Sequence, residues 1–113
     1  MKPSEIQHDR VAADPASRDH NGMTALMRAV DSGHIETVKR LLQAGADLDA
    51  TDKWGQTALM LAAGRNDVLC TRLLLQVKAN PNIRARNGLT ALGYATDNDQ
   101  QDTATLLKRS GAR

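Results

Sequence analysis

Apolar residues in this chain fall in short runs with helical spacing, and Gly, Asn and Asp break those runs at fixed points. Leu26, Ala29 and Val30 sit at i, i+3 and i+4 behind Thr24. This predicts a short helix over Ala25-Leu26-Met27-Arg28-Ala29-Val30, with the Thr24 hydroxyl accepting an orphan backbone N–H as N-cap. Gly33 is placed to stop that helix as a left-handed residue, with Asn66 and Asp99 at the equivalent points. A second helix is predicted from Ile35 to Gln43 on the stripe Ile35, Val38, Leu41 and Leu42, and Gly45 ends it. The pair recurs as a helix from Thr57 to about Gly64 and another from Val68 to about Val77. It recurs again behind Thr90, with a last helix over Asp102 to Arg109.

The recurrence has a fixed step. Gly22, Gly55 and Gly88 are 33 apart, as are Thr24, Thr57 and Thr90, then Leu26, Leu59 and Leu92, then Ala29, Ala62 and Ala95. Leu41, Leu74 and Leu107 keep the same step. A period of this length marks a stack of identical units, each packed only on its neighbours, with recognition on the extended face they share. Asn21-Gly22 and Asn87-Gly88, with Trp54-Gly55 as the variant, predict tight hairpin turns with both residues at positive φ. The second helix of the middle unit carries Leu69, Leu73, Leu74 and Leu75, and burial on both sides is expected for it. Lys78 stands where the other units have Gly45 and Gly111. Positive φ would cost a lysine about 1 kcal/mol, so an altered turn is expected there.

The third unit turns polar, with Gln101, Lys108 and Arg109 where the first has Ile35, Leu42 and Gln43. Terminal units need such a face for solubility, so the stack is expected to end there. Residues 1–18 read as a partial unit: Ala13-Asp14 lies one period before Ala46-Asp47, and Ser4 with Gln7 has capping-box spacing. That segment is expected either as an N-terminal cap or as a chain end without a role.

Composition agrees with a thin stack. Hydrophobic residues make up 41% of the 113-residue chain but aromatics only 2%, too few rings for a single packed core of this size. The net charge is +2, distributed as −2 over residues 1–50 and +4 over residues 51–113. That asymmetry would steer an acidic partner towards the C-terminal half. One cysteine, Cys70, excludes an intrachain disulfide, and its apolar surroundings predict burial. A lone thiol points to a reducing, cytoplasmic setting. The opening Met1-Lys2-Pro3-Ser4-Glu5 has no apolar run behind its lysine, so no signal peptide is expected. No stretch approaches a membrane span.

Asp19-His20-Asn21-Gly22-Met23-Thr24-Ala25-Leu26, then Gly33-His34-Ile35-Glu36, Val38 and Leu41-Leu42-Gln43-Ala44-Gly45-Ala46-Asp47 carry a resemblance. Through them the chain is similar to the ankyrin repeat family over residues 19–113, as units 19–51, 52–84 and 85–113. The resemblance implies an all-α fold, an ankyrin-repeat solenoid of stacked helix-turn-helix units with β-hairpin or loop fingers. Where the family writes Thr-Pro-Leu-His, this chain has Thr24-Ala25-Leu26-Met27, Thr57-Ala58-Leu59-Met60 and Thr90-Ala91-Leu92-Gly93. Alanine keeps the helix start, whereas loss of the histidine removes a hydrogen bond between turns. The family binds proteins with its fingertips and first helices. The fingertip positions carried over are His20, Asn21 and Met23; Lys53, Trp54 and Gln56; and Arg86, Asn87 and Leu89. The helix-one positions beside them are Asp31 and Ser32, Gly64 and Arg65, and Asp97 and Asn98.

Trp54 is the strongest candidate, because exposed Trp leads among interface hot spots. Met23 and Leu89 flank it one unit either way as a candidate apolar strip. Lys53, Arg84 and Arg86 favour an acidic protein surface, while Asp31, Asp97 and Asp99 form an acidic edge opposite. That edge argues against nucleic acid. No nucleophile stands at catalytic spacing from His8, His20 or His34, and no phosphate loop occurs, so no enzyme activity or cofactor is expected. Three scattered histidines make no metal site, and His34 reads as a helix cap. The expected function is an interaction module or adaptor that binds a partner protein through the concave finger and helix-one face. The alternative is a dedicated inhibitor or immunity protein that blocks a cognate enzyme or toxin. A monomer is expected, with dimerisation through the N-terminal face as the other possibility.

Overall fold

The computed structural model describes residues 18–97 and 101–112. Among them are six helices in three pairs: α1 Ala25–Ser32 and α2 Ile35–Gln43, α3 Ala58–Gly64 and α4 Val68–Gln76, α5 Ala91–Asp97 and α6 Gln101–Arg109. Each helix packs on its pair mate, α1, α3 and α5 stand side by side as one layer, and α2, α4 and α6 form the other. The three Thr-Ala-Leu segments are therefore equivalent neighbours in a helical solenoid. No strand forms among the described residues; an isolated bridge joins Arg18 to Thr24.

Local chemistry explains why each pair starts and stops where it does. Thr24 Oγ1 accepts from the Met27 amide at 3.3 Å, Thr57 Oγ1 from Met60 at 3.2 Å and Thr90 Oγ1 from Gly93 at 3.3 Å. These bonds satisfy donors that a helix start leaves orphaned. In the middle unit the Met60 thioether also accepts the Thr57 amide at 3.4 Å, so a sulfur closes the reciprocal half of the capping box. At the other end Gly33 has φ 72°, and the His34 amide reaches back to the Ala29 carbonyl at 3.0 Å. The same left-handed closure recurs at Asn66, with φ 55°.

Four expectations from the sequence are corrected. Lys78 does not alter its turn: it takes φ 71°, beside Gly45 at 82° and Gly111 at 92°. Its amide and that of Ala79 make the closing bonds to Leu75 and Leu74, both at 3.0 Å, and these offset the strain. The middle outer helix is not buried all round. Cys70, Thr71 and Leu74 are fully buried on one stripe, but Leu69 is 47% exposed. A two-layer stack offers that helix an inner face and two flanks, and its outer face meets solvent. His34 occupies the N-cap position of α2 without a side-chain capping bond, whereas its equivalent Asp67 accepts from the Cys70 amide at 3.0 Å. Finally, among described non-glycine residues only Asn66 and Lys78 have positive φ, so Asn21 and Asn87 are not in the mirror-image turn expected of them.

The core is mostly Ala and Leu, with Val30, Val38, Cys70 and two methionines. Leu26, Met27, Leu41, Leu59, Met60, Leu74 and Leu107 are its largest buried side chains. Small alanines at the helix contacts, Ala29, Ala62 and Ala95, let neighbouring units approach closely enough to need no rings. The reading of residues 1–18 as a cap lies outside the described residues apart from Arg18, whose guanidinium donates to the Thr51 carbonyl at 2.6 Å. Asp99 and Asn98 also lie outside them.

Candidate functional site

Three fingers project between the units, and one recurring polar device shapes the first two. Asp19 Oδ1 accepts the amides of Asn21 and Met23 at 2.9 and 3.0 Å, and Asp52 Oδ1 accepts those of Trp54 and Gln56, both at 2.9 Å. A four-residue turn closes each finger, with the Gly22 amide on the Asp19 carbonyl at 2.9 Å and the Gly55 amide on Asp52 at 3.0 Å. A single left-handed glycine at the fourth position suffices, which is why the asparagines keep ordinary φ. Finger three has Ala85 in place of the aspartate, and Asn87 Oδ1 takes over by accepting the Leu89 amide at 3.0 Å. The Met23 amide, followed by Asn21, holds the Asp19 carboxyl below its ordinary value against the opposing effect of burial; His20 and Arg28 add to the lowering.

Backbone bonds tie the fingers side by side. The Lys53 amide donates to the Asn21 carbonyl at 3.0 Å and the Arg86 amide to the Trp54 carbonyl at 3.1 Å. Close approach at these points needs glycine. A Cβ on Gly22 would stand 3.1 Å from the Lys53 nitrogen, and one on Gly55 would stand 3.0 Å from that of Arg86. The fingers thus form one continuous rim.

On this rim the candidate residues separate into groups. Trp54, Gln56, Arg86 and Asn87 line one open cleft of about 460 Å³ together with Tyr94 from α5. Trp54 is 47% exposed, and the Lys53 ammonium lies 4.6 Å from its ring centroid as a cation–π pair. His20 is exposed and Asn21 half-buried on the neighbouring finger, while Met23 packs onto the core. Leu89 lies in a different recess of about 340 Å³ with Arg84, Leu92, Gly93 and Thr96, so it does not extend a strip from Trp54 in that cleft. Asp31, Ser32, Arg65 and Asp97 are exposed at the far ends of the first helices and line neither cavity.

Tyr94 is the residue that sequence reasoning missed. Its hydroxyl accepts from Gln56 Nε2 at 3.0 Å and from Asn87 Nδ2 at 3.1 Å, joining fingers two and three to the inner helix layer. The sequence offers only the repeat register, which makes Tyr94 the counterpart of Arg28 and Leu61 without pairing it to Gln56. Among the described residues the ion pair is Lys39 with Glu36 at 3.4 Å, on α2. Lys53 and Arg86 are exposed, and among the described residues neither has a carboxylate within ion-pair distance. No helix of the described residues is long and apolar enough to cross a membrane.

Comparison with known proteins gives two overlapping matches. A family model described as "Ankyrin repeats (3 copies)" matches residues 38–113, and one described as "Ankyrin repeat" matches residues 21–53. No curated protein matches the chain.

Proposed function

From the premise that this chain belongs to the ankyrin repeat family, we propose that it acts as an adaptor, holding a partner protein against the rim formed by fingers two and three. Ankyrin repeats are generally protein–protein interaction modules. The observation that carries the reading is the Trp54 cleft, where a half-exposed indole stands among Gln56, Arg86, Asn87 and Tyr94 on a hydrogen-bonded rim. An aromatic anchor on a preorganised surface loses little entropy on binding. Uncompensated Lys53 and Arg86 favour an acidic partner surface.

An adaptor needs a second surface, and in this reading the outer helix layer supplies it. Leu69 and Val77, 47% and 41% exposed, lie at the two ends of α4 in the other helix layer. The reading takes the chain as a cytoplasmic monomer, in keeping with its single free and buried thiol.

The test is affinity capture from the native host with wild type and Trp54→Ala in parallel, followed by titration of the captured protein. Trp54→Ala is expected to keep the helical circular dichroism and weaken binding by about 2 kcal/mol or more. Equal affinity with an intact fold removes this surface from consideration.

A further inference from the structure

We propose that the Trp54 cleft is built to receive one carboxylate, presented by an Asp or Glu side chain of the partner protein. This rests on the rim being the protein-binding surface, and it adds the chemistry that the rim selects.

The inference starts from the proton on Tyr94. A phenol has one O–H to donate and two lone pairs to accept with. Here Gln56 Nε2 donates to the oxygen at 3.0 Å and Asn87 Nδ2 at 3.1 Å. The Asn87 amide has a fixed orientation, because its Oδ1 already accepts the Leu89 amide at 3.0 Å, which leaves Nδ2 to face the phenol. With both lone pairs engaged, the Tyr94 proton is left to donate outwards, and no described residue accepts it.

Most other polar groups of the cleft have the same sense, with Gln56 Oε1 as the side-chain acceptor among them. Arg86 has only donors and keeps its charge at any working pH, and it is exposed without an ion pair among the described residues. Each of the two side-chain amides has a second N–H beyond the one given to Tyr94. The cleft thus offers a phenol proton, amide protons and a guanidinium against an indole wall, and Lys53 over that indole adds positive potential. Its complement is a group that only accepts. An ionised carboxylate is such a group, and its planar pair of oxygens matches the guanidinium fork. A hydroxyl or primary amide would bring protons for which the cleft's side chains offer one acceptor, Gln56 Oε1, and would answer the guanidinium charge less well than a carboxylate. A phosphate dianion would call for more than the one guanidinium that lines the cleft.

The experiment is an NMR titration of ¹⁵N-labelled protein with the peptides acetyl-Gly-Glu-Gly-amide and acetyl-Gly-Gln-Gly-amide. The Glu peptide is expected to move the Trp54 indole N–H and the Asn87 side-chain amide signals to saturation at millimolar concentrations, and the Gln peptide to leave them in place. Tyr94→Phe, which removes only the hydroxyl, is expected to weaken the Glu peptide about three- to tenfold. Gln56→Glu is expected to abolish its binding, because the new carboxylate takes the Tyr94 proton and fills the site; this variant carries the test if Tyr94→Phe perturbs the fold. Equal binding of both peptides, indifference to both variants, or tighter binding of a phosphoserine peptide overturns the assignment. If partner capture depends on Trp54 while the Glu peptide is silent, the carboxylate assignment fails and the interaction surface stands. If the Glu peptide binds while capture ignores Trp54, the interaction surface fails instead.

Discussion

Gly55 and Gly88 occupy equivalent places in fingers two and three, with φ 77° and 86°, but only one of them has a neighbour. Around Gly88 nothing lies within 4 Å of the point a Cβ would occupy. Gly88→Ala therefore meets only the cost of a left-handed alanine, about 1–2 kcal/mol. At Gly55 the added methyl would stand 3.0 Å from the Arg86 nitrogen and 3.3 Å from the Ala85 Cα, both backbone atoms that no rotamer change can move aside. Finger three must shift, and the 3.1 Å bond from the Arg86 amide to the Trp54 carbonyl is lengthened or lost. That adds about 1 kcal/mol for the bond, so Gly55→Ala is expected to cost about 2–3 kcal/mol in total. Urea melts followed by circular dichroism give the two values directly, and a common slope confirms that both variants unfold as the wild type does. At about 4 °C per kcal/mol, thermal melts should separate the two by several degrees. Equal losses, or a larger loss at Gly88, would show that the fingers are not held together as the hydrogen bonds indicate.

Other expectations follow from single contacts. Leu74 is fully buried in α4, so Leu74→Ala should cost about 2–5 kcal/mol; a negligible shift in melting would contradict its place between the units. Lys78→Gly should raise stability by about 1 kcal/mol, since it relieves a lysine at φ 71° whose side chain is exposed; an unchanged or lower midpoint would show that the turn is unstrained. Burial, aided by the Asp67 carboxylate, pushes the Cys70 thiol up from 9.0 to about 12. Between those values the unfolded chain has released the proton that the folded chain keeps, so the Cys70 contribution is flat below pH 9 and erodes stability as pH rises through the window. Iodoacetamide at pH 8 should accordingly label Cys70 only as fast as the protein opens; rapid labelling of the folded protein would contradict its burial.

The 33-residue step was legible as repetition, and the three Thr caps and the helix bounds, to within one or two residues, because they depend on contacts three to five residues apart. Thr24, Thr57 and Thr90 cap their helices wherever the rest of the chain goes, and Gly33 and Asn66 close theirs for the same local reason. The turn at Trp54 followed from the repeat register, and its place at a fingertip from the family resemblance.

Tertiary structure decided what depended on the adjoining unit. Leu69 and Leu74 look alike in sequence, and only the absence of a third layer leaves one in solvent while the other is sealed. Gly55 and Gly88 share a motif, yet the backbone of the next finger presses on the first alone. Tyr94 enters the cleft through a bond to Gln56, 38 residues earlier, and no local pattern encodes that meeting. Periodicity fixes what every unit is. The neighbours it meets, and therefore which of its groups remain free to bind, are set by its place in the stack.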